Sequence, residues 1–370
     1  MNLQAQQGLM STYREAWRNR GAVAWVVSFA LIAFYCVLFW EAELGAHLGM
    51  PPVLTWAAKA MSLPDRWFLY GLVYTTLMAG GAVYYLRRHG SSRYNRVRIA
   101  VNLFVQSVLA FSLPYAMHLF GQKEYYPSYF WPLKWDAIFP HTLQSLPVYL
   151  AFYAVFGAFV LAPGLALIFG KRWYCSWVCG CGALANTFGD PWRHLTAKST
   201  ASWRFEKVAV HSVLALTLVF TAVVFAGQLL NFRSDAFYQF AETSKYWYGF
   251  FVGGVLAGVV GTGLYPLLGP RVWCRNFCPM AALLGIVQKA GRFRVRVKPD
   301  MCISCGNCTT YCEMGIDVRS YAQSNQSFTR AACVGCGMCA HVCPRGVLKL
   351  EDVAPRAADK RRQGLDAIDF

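Results

Sequence analysis

The sequence predicts an all-α polytopic membrane domain of six transmembrane helices, followed by a small α+β domain folded around eight cysteines. Three observations carry this: six long uncharged stretches, a composition too apolar for a soluble domain, and one cysteine spacing written twice near the end of the chain. Of 370 residues, 56% are hydrophobic and only 14% are charged, and the mean hydropathy is +0.33, well off the globular average. The uncharged stretches are Gly21–Trp40, Trp67–Leu86, Ile99–Phe120, Pro147–Gly170, Val208–Leu230 and Gly249–Gly269, each at least 20 residues long. That is enough for a helix to cross a hydrocarbon core of ~30 Å. The resulting organisation is an N-terminal segment (1–20), a transmembrane domain (21–291), a cysteine-rich domain (292–350) and a charged tail (351–370).

Orientation follows from the basic residues beside the spans. One side carries Arg14, Arg18, Arg20, Arg87, Arg88, Arg93, Arg96, Arg98, Lys171, Arg172, Arg193, Lys198, Arg204 and Lys207. The other carries Lys59, Arg66, Lys123, Lys134, Arg233 and Lys245, which is six against fourteen. Both termini and the cysteine-rich domain are therefore expected at the cytoplasmic face of a bacterial inner membrane. Gly21–Trp40 reads as a retained span: it is longer than a signal-peptide core, lacks a small-residue cleavage site and runs into Glu41 and Glu43. The net charge of +17 sits largely in these loops and around Arg292, Arg294, Arg296 and Lys298. It suits anionic lipid headgroups or an acidic redox partner, and no motif points to nucleic acid. Thr12 and Glu15 have the spacing of a capping box opening a short helix before the first span.

In the cysteine-rich domain Cys302-x2-Cys305-x2-Cys308-x3-Cys312 is followed by Cys333-x2-Cys336-x2-Cys339-x3-Cys343-Pro344. This is the ligand run of a bacterial-type two-cluster ferredoxin, in which the fourth cysteine of each run crosses to the other cluster. Cys302, Cys305, Cys308 and Cys343 are thus expected to hold one [4Fe–4S] cluster, and Cys333, Cys336, Cys339 and Cys312 a second. Zinc sites more often pair two CxxC units with histidine, and a disulfide framework needs an oxidising compartment.

The transmembrane domain has cysteines of its own, inside an internal repeat. Gly170, Arg172, Tyr174, Cys175, Cys179, Ala183 and Leu184 recur as Gly269, Arg271, Trp273, Cys274, Cys278, Ala282 and Leu283, an offset of 99 residues. Spacing i, i+4 sets both thiols of a pair on one helical face, at the cytoplasmic membrane surface. Two such pairs form a candidate third [4Fe–4S] site of Cys175, Cys179, Cys274 and Cys278, with Cys181 as an alternative ligand. Arg172 and Arg271 would favour thiolate there. The competing reading is four reduced structural thiols packed as small hydrophobes.

Other positions carry weaker signals. His118 or His141 suits quinol deprotonation at the outer face, though a plain hydrogen bond is commoner. Asn102 and Gln106, at i, i+4 in the third span, suit either a quinone headgroup or bonds to neighbouring helices. The seven histidines are too scattered to define a haem, with His118 and His211 near opposite faces. The glycines from Gly249 to Gly261 suit close helix packing. Tyr125, Tyr126, Tyr129, Phe130, Trp131 and Trp135, and then Phe237, Tyr238, Phe240, Tyr246 and Trp247, read as interfacial aromatic belts.

Spans with paired cysteines and a terminal two-cluster ferredoxin resemble the membrane-bound polyferredoxins of the NapH, NosR and CcoG type, which bind [4Fe–4S] clusters and carry C-x3-C(-Pro) motifs. The resemblance rests on motifs from Pro147 to Leu350, and on architecture alone before that. Cys278 is followed by Pro279 as in that pattern, whereas Cys179 is followed by Gly180 and Cys312 by Glu313. No flavin-binding domain precedes the spans, unlike a full-length nitrous-oxide-type regulator, and there is no CxxCH for c-type haem. The resemblance implies a quinol dehydrogenase-like oxidoreductase component relaying electrons between the quinone pool and protein partners. Two alternatives stay open: a cupric reductase for metallocentre assembly, and a non-catalytic wiring subunit of a larger respiratory or photosynthetic complex.

Overall fold

The computed structural model describes residues 21–229 and 236–353. Thr12, Glu15, Arg14, Arg18, Arg20 and Arg233, and the tail beyond residue 353, lie outside the described residues. Among the described residues, six long helices build the bundle that precedes the small domain and was expected to be transmembrane. α1 (Gly21–Leu48) kinks at Trp40. Just beyond, the buried Glu41 accepts from Leu54 N at 2.7 Å and Thr55 Oγ1 at 2.6 Å, tying down the connection to α2. α2 (Arg66–His89) opens on Asp65, whose carboxylate caps Trp67 N and Phe68 N. α3 (Arg93–Leu119), α4 (Val148–Phe169) and α5 (Thr200–Leu229) follow, then α6 (236–260).

Four of these helices, α1, α3, α4 and α5, are long and apolar enough to cross a membrane. α2 is diluted by tyrosine, threonine and glycine, with Arg87 and Arg88 in its last turn. The first half of α6 is polar, carrying Glu242 and Lys245. The bundle has inverted polarity: Phe29, Phe152, Phe159 and Val219 are exposed, while Arg98, Asn102, Gln106 and Thr217 are buried. That is the distribution a hydrocarbon solvent demands. Gly254 and Gly258 of α6 lie against Trp40, Phe39 and Tyr35 of α1, the close packing expected of the glycine stripe.

After α4 the chain does not run on along the surface. Gly170 takes φ +71°, which L side chains rarely adopt, and its repeat partner Gly269 takes φ +93°. Each glycine turns the backbone into a short helix (Arg172–Cys175, Val272–Asn276), a break, and a second helix (Gly180–Asn186, and α7 at Pro279–Ala290). α7 leads into a small α+β domain. There β1 (Phe293–Val297) pairs antiparallel with β2 (Leu348–Asp352), Val295 opposite Leu350, and the short helices Asn307–Thr310, Val318–Gln323 and Met338–His341 lie between the strands in the chain.

From the opposite end, residues 121–147 fold back into the bundle. Phe130 packs on Gly157 of α4, Trp131 rests 5.5 Å from Phe159, and Trp135 Nε1 donates to Thr221 Oγ1 of α5 at 2.7 Å. Tyr125, Phe130, Trp131 and Trp135 are buried, so this first aromatic group is a plug rather than an interfacial belt. Phe240, Tyr246 and Trp247 do face outward.

Candidate functional site: three thiol constellations in series

Within the small domain the eight cysteines fall into two cavities. One, of about 350 Å³ counting the part open to solvent, is lined by Cys302, Cys305, Cys308 and Cys343. The other, of about 390 Å³, is lined by Cys312, Cys333, Cys336 and Cys339. These are the crossed sets expected from the spacing. Gly306 (φ +80°) and Gly337 (φ +78°) make the tight turns between ligands.

The donors suit a sulfur-rich anionic group. Val347 N approaches Cys343 Sγ at 3.4 Å, and the amides of Gly335 and Met338 donate to Cys333 and Cys336. Burial pushes the Cys308 thiol up to about 11, Cys333 to about 12 and Cys336 to about 11. Free thiols here would hold their protons, and ligation would release them. Among the described residues no three His, Cys, Asp or Glu side chains converge as ligands of a single metal ion, whereas a cubane takes ligands spread around a larger core.

The two pairs in the transmembrane domain do converge. Cys175, Cys179 and Cys274 lie within electrostatic reach of one another, and Cys278 within reach of all three. All four are buried. Cys181 belongs to the same group, its thiol hydrogen-bonded to that of Cys179. The local geometry differs from one helical face per pair. In both copies the helix breaks between the cysteines, and Cys179 and Cys278 are N-caps with extended backbone (ψ 134° and 113°). The second thiol caps instead of continuing the turn: Cys278 Sγ accepts from Ala281 N at 3.4 Å.

Gly180 replaces the proline of the second copy because Tyr129 and Gln106 crowd it. A Cβ there would lie 2.3 Å from Tyr129 Oη. Arg172 is also not where the repeat placed it. Its guanidinium turns outward, stacks on Phe293 and pairs with Asp352, and Lys171 takes the position beside Cys175.

Nor does this group sit at the helix ends: it lies level with the middle of α3. Asn102 Nδ2 donates to Ser176 O at 3.0 Å and Trp177 O at 2.5 Å, and Gln106 Nε2 to Val178 O at 2.5 Å. Gln106 stands midway along α3, roughly 20 Å from either end at ~1.5 Å per residue. Tyr129, from the plug entering at the other end, donates to the same Gln106 Oε1 at 3.3 Å. Tyr74 of α2 donates to it at 3.3 Å and to Gly180 O at 2.8 Å. Asn102 and Gln106 therefore hold the irregular cysteine segment, the condition under which such backbone is stable at membrane depth, and are not free for a quinone headgroup. His118, at the C-terminal end of α3, is 3.0 Å from Glu124. A cavity of about 450 Å³, partly open, reaches Cys274 between α5 and α7 and is also lined by Lys171, Trp203 and His211.

The third constellation abuts the second. Ser176 Oγ donates to Val334 O and Tyr94 Oη to Gly335 O, both at 2.7 Å, and Gln288 Nε2 donates to Cys333 O at 3.1 Å. Between them lies a buried charge network that motif reading missed. Glu313, fully buried, accepts from Arg271 Nη2 at 2.9 Å, and Arg193 Nη1 lies 2.6 Å from its other oxygen, off the line of a hydrogen bond. Arg271 Nη1 reaches Cys274 Sγ at 3.8 Å and Arg193 Nη1 reaches Cys336 Sγ at 3.9 Å. Asn186 Oδ1 joins Arg271 to Arg98 at 2.9 and 3.1 Å. Burial alone would push the Glu313 carboxyl up, but Arg193, Arg271 and Arg98 hold it below the usual carboxylate range. Breaking such a buried pair costs about 3–5 kcal/mol. Arg98, Arg193 and Arg271 each keep one buried nitrogen without a hydrogen-bond acceptor among the described residues. Two of these guanidiniums, Arg193 and Arg271, reach a thiol through another nitrogen, and buried donors without an acceptor fit a nearby anionic cluster.

Fold and thiol geometry define an iron–sulfur electron-transfer protein, and the comparisons narrow it. A family described as a 4Fe-4S dicluster domain matches residues 295–350. One described as a 4Fe-4S binding domain matches twice, at 151–197 and 251–298, over the two repeat copies. These matches support a likeness to 4Fe-4S polyferredoxins. Its relatives include YccM of Escherichia coli (strain K12), whose name assigns it provisionally to electron transport, 26% identical over 41% of this chain and 44% of that one. Two methylamine utilization ferredoxin-type proteins MauN also match. That of Methylobacillus flagellatus is 28% identical over 48% of this chain and 63% of its own length, and that of Methylorubrum extorquens 30% over 40% and 49%. The chain thus spans about half the length of the curated relatives it matches. No solved structure matches it.

Proposed function

We propose that the chain is a six-span inner-membrane relay that passes electrons between the quinone pool and redox proteins at the cytoplasmic face through three [4Fe–4S] clusters. Cys175, Cys179, Cys274 and Cys278 hold one midway through the bundle. Cys312, Cys333, Cys336 and Cys339 hold the next, and Cys302, Cys305, Cys308 and Cys343 the last. The observation that carries this reading is the convergence of both repeat cysteine pairs directly beneath the Cys333–Cys336 loop, joined to it by Ser176, Arg271 and Glu313. The cavity that reaches Cys274, lined also by Glu206, Lys207, Arg275 and Arg330 where α5 meets the small domain, offers a donor an approach. When bound, the clusters supply one-electron chemistry; the protein positions them and tunes them by charge and burial.

The test is iron and acid-labile sulfide on anaerobically purified protein. About 12 iron per chain is expected, four for each cluster, falling to about 8 in C175A/C274A with the ferredoxin signals intact. About 8 in the wild type overturns the third cluster. Quinol-dependent reduction, measured by EPR, checks the donor. One observation favours a second reading, reduction of a metal ion such as copper for assembly elsewhere: Cys181 is a fifth thiol beside Cys179 that a four-ligand cluster leaves unused. Copper reduction that survives in wild type and is lost in C181A would favour it.

A further inference from the structure

We infer that Glu313 is the positioning residue that couples the transmembrane-domain thiols to the Cys312/Cys333/Cys336/Cys339 site, by holding Arg271 against Cys274 and Arg193 against Cys336. The inference rests on the reading that both thiol sets hold clusters.

Glu313 stands directly after Cys312, where the related cysteine pattern carries proline. A proline there would serve the turn. A carboxylate buried to the last oxygen serves the turn no better, and buried ion pairs are weak devices for stability. Its position explains it. One oxygen takes Arg271 and the other meets Arg193, and each of those guanidiniums extends a nitrogen to a cysteine on its own side, Cys274 in the bundle and Cys336 in the small domain. The three charged groups therefore form one continuous bridge, with Glu313 as its middle element. Asp190 and Asn186 complete it, Asp190 bonding Arg193 Nε at 3.0 Å and Asn186 bonding Arg271 Nη2 at 2.9 Å.

A four-thiolate cluster is anionic and becomes more so on reduction, so a guanidinium beside it favours the reduced form. The shared carboxylate opposes both guanidiniums at once. Glu313 thus moves the potentials of its two neighbours in the same direction and keeps the step between them nearly constant. Transfer across the bridge is a single electron: the donor site is oxidised by one and the acceptor reduced by one. No bond forms or breaks and no proton is needed, because the arginines stay charged and Glu313 stays ionised. The Cys302/Cys305/Cys308/Cys343 site has no part in the bridge, which makes it the internal reference.

The experiment is a potentiometric titration followed by EPR on the full-length, cluster-loaded protein, with signals assigned by their loss in C274A, C336A and C305A. E313Q should raise the midpoints of the Cys274 and Cys336 signals together and leave the Cys305 signal in place. R271Q should lower the Cys274 midpoint most, and R193Q the Cys336 midpoint most. R271K, which keeps the charge, should stay near wild type. Opposite signs for the acid and the arginines separate an electrostatic coupler from a merely structural residue, whose loss would move or deplete all signals alike. E313Q with full iron and unmoved midpoints overturns the inference, as does a shift of the same sign in E313Q and R271Q. If E313Q fails to load clusters, R193Q and R271Q decide, and unmoved midpoints in both overturn it. An iron count near 8 would instead sink the third-cluster reading, while the Cys336 midpoint in E313Q still tests the bridge on its ferredoxin side.

Discussion

The two cysteine sets of the small domain share one spacing and have opposite surroundings. Cys302, Cys305, Cys308 and Cys343 line a cavity at the surface, with Cys305 exposed and Ile303, Pro344 and Arg345 around it. Cys312, Cys333, Cys336 and Cys339 face the helical bundle, against Ser176, Tyr94 and the Arg193–Glu313–Arg271 bridge. Cys339 lies within electrostatic reach of Cys308, so the two sets adjoin. A repeated motif has thus yielded two unlike positions, one interior and one at an end. The shared spacing is that of a cluster site, and in the proposed relay the neighbours would decide its place in the order of transfer.

Breaking the interior position should have the largest effect. In fully reduced wild-type protein, neighbouring paramagnetic clusters should broaden one another's EPR signals. C336A removes the middle of the series, so the remaining centres should give narrow, uncoupled spectra, and electron delivery from the membrane side to the Cys305 end should fall by orders of magnitude. C305A removes only the end, and coupling between the Cys274 and Cys336 centres should persist. Persistent coupling in C336A would reverse the order argued here.

A smaller effect tests what seats the interior set. S176A and Y94F each leave a buried carbonyl, of Val334 or Gly335, without its side-chain donor, which costs about 1–3 kcal/mol. Amide exchange across residues 333–337 should speed up in either variant, while residues 302–308 exchange as in wild type. Equal acceleration in both segments would mean the whole domain loosens, and the contrast between the two sets would not hold.

Much of this arrangement was legible in the residues. The crossed ligand sets follow from cysteine spacing, because three ligands from one tight loop leave the fourth to come from elsewhere. The repeat of Gly170–Leu184 at Gly269–Leu283 announced two matching turns, and both copies carry a positive-φ glycine and a cysteine at the N-cap position. What the sequence hid was depth. Ser176 and Gly180 belong to a segment expected at the membrane surface, until α2 and α3 supply Tyr74, Asn102 and Gln106 as partners, and those contacts span more than seventy residues. Basic residues misled for a related reason. Lys171, Arg98 and Arg193 were counted as topology charges, yet all three are buried near the thiols. Loop charge and site charge look alike in one dimension. Glu313 was visible only as a departure from the family's proline, a signal that marked the place without naming its role.

The exposed set, finally, predicts how a partner docks. Arg345 is exposed at the cavity of Cys302, Cys305, Cys308 and Cys343, with Arg319 half-buried beside it, so an acidic redox protein is the complementary surface. Charge at a rim acts mainly on encounter rate and is screened within about 8 Å at physiological salt. R345E should therefore slow reduction of an acidic acceptor by less than about tenfold at low salt, with the difference shrinking as salt rises. The midpoints of the two bridged centres should not move. A salt-independent loss would place Arg345 in cluster support rather than docking, and would make the outer set as dependent on its arginines as the inner one.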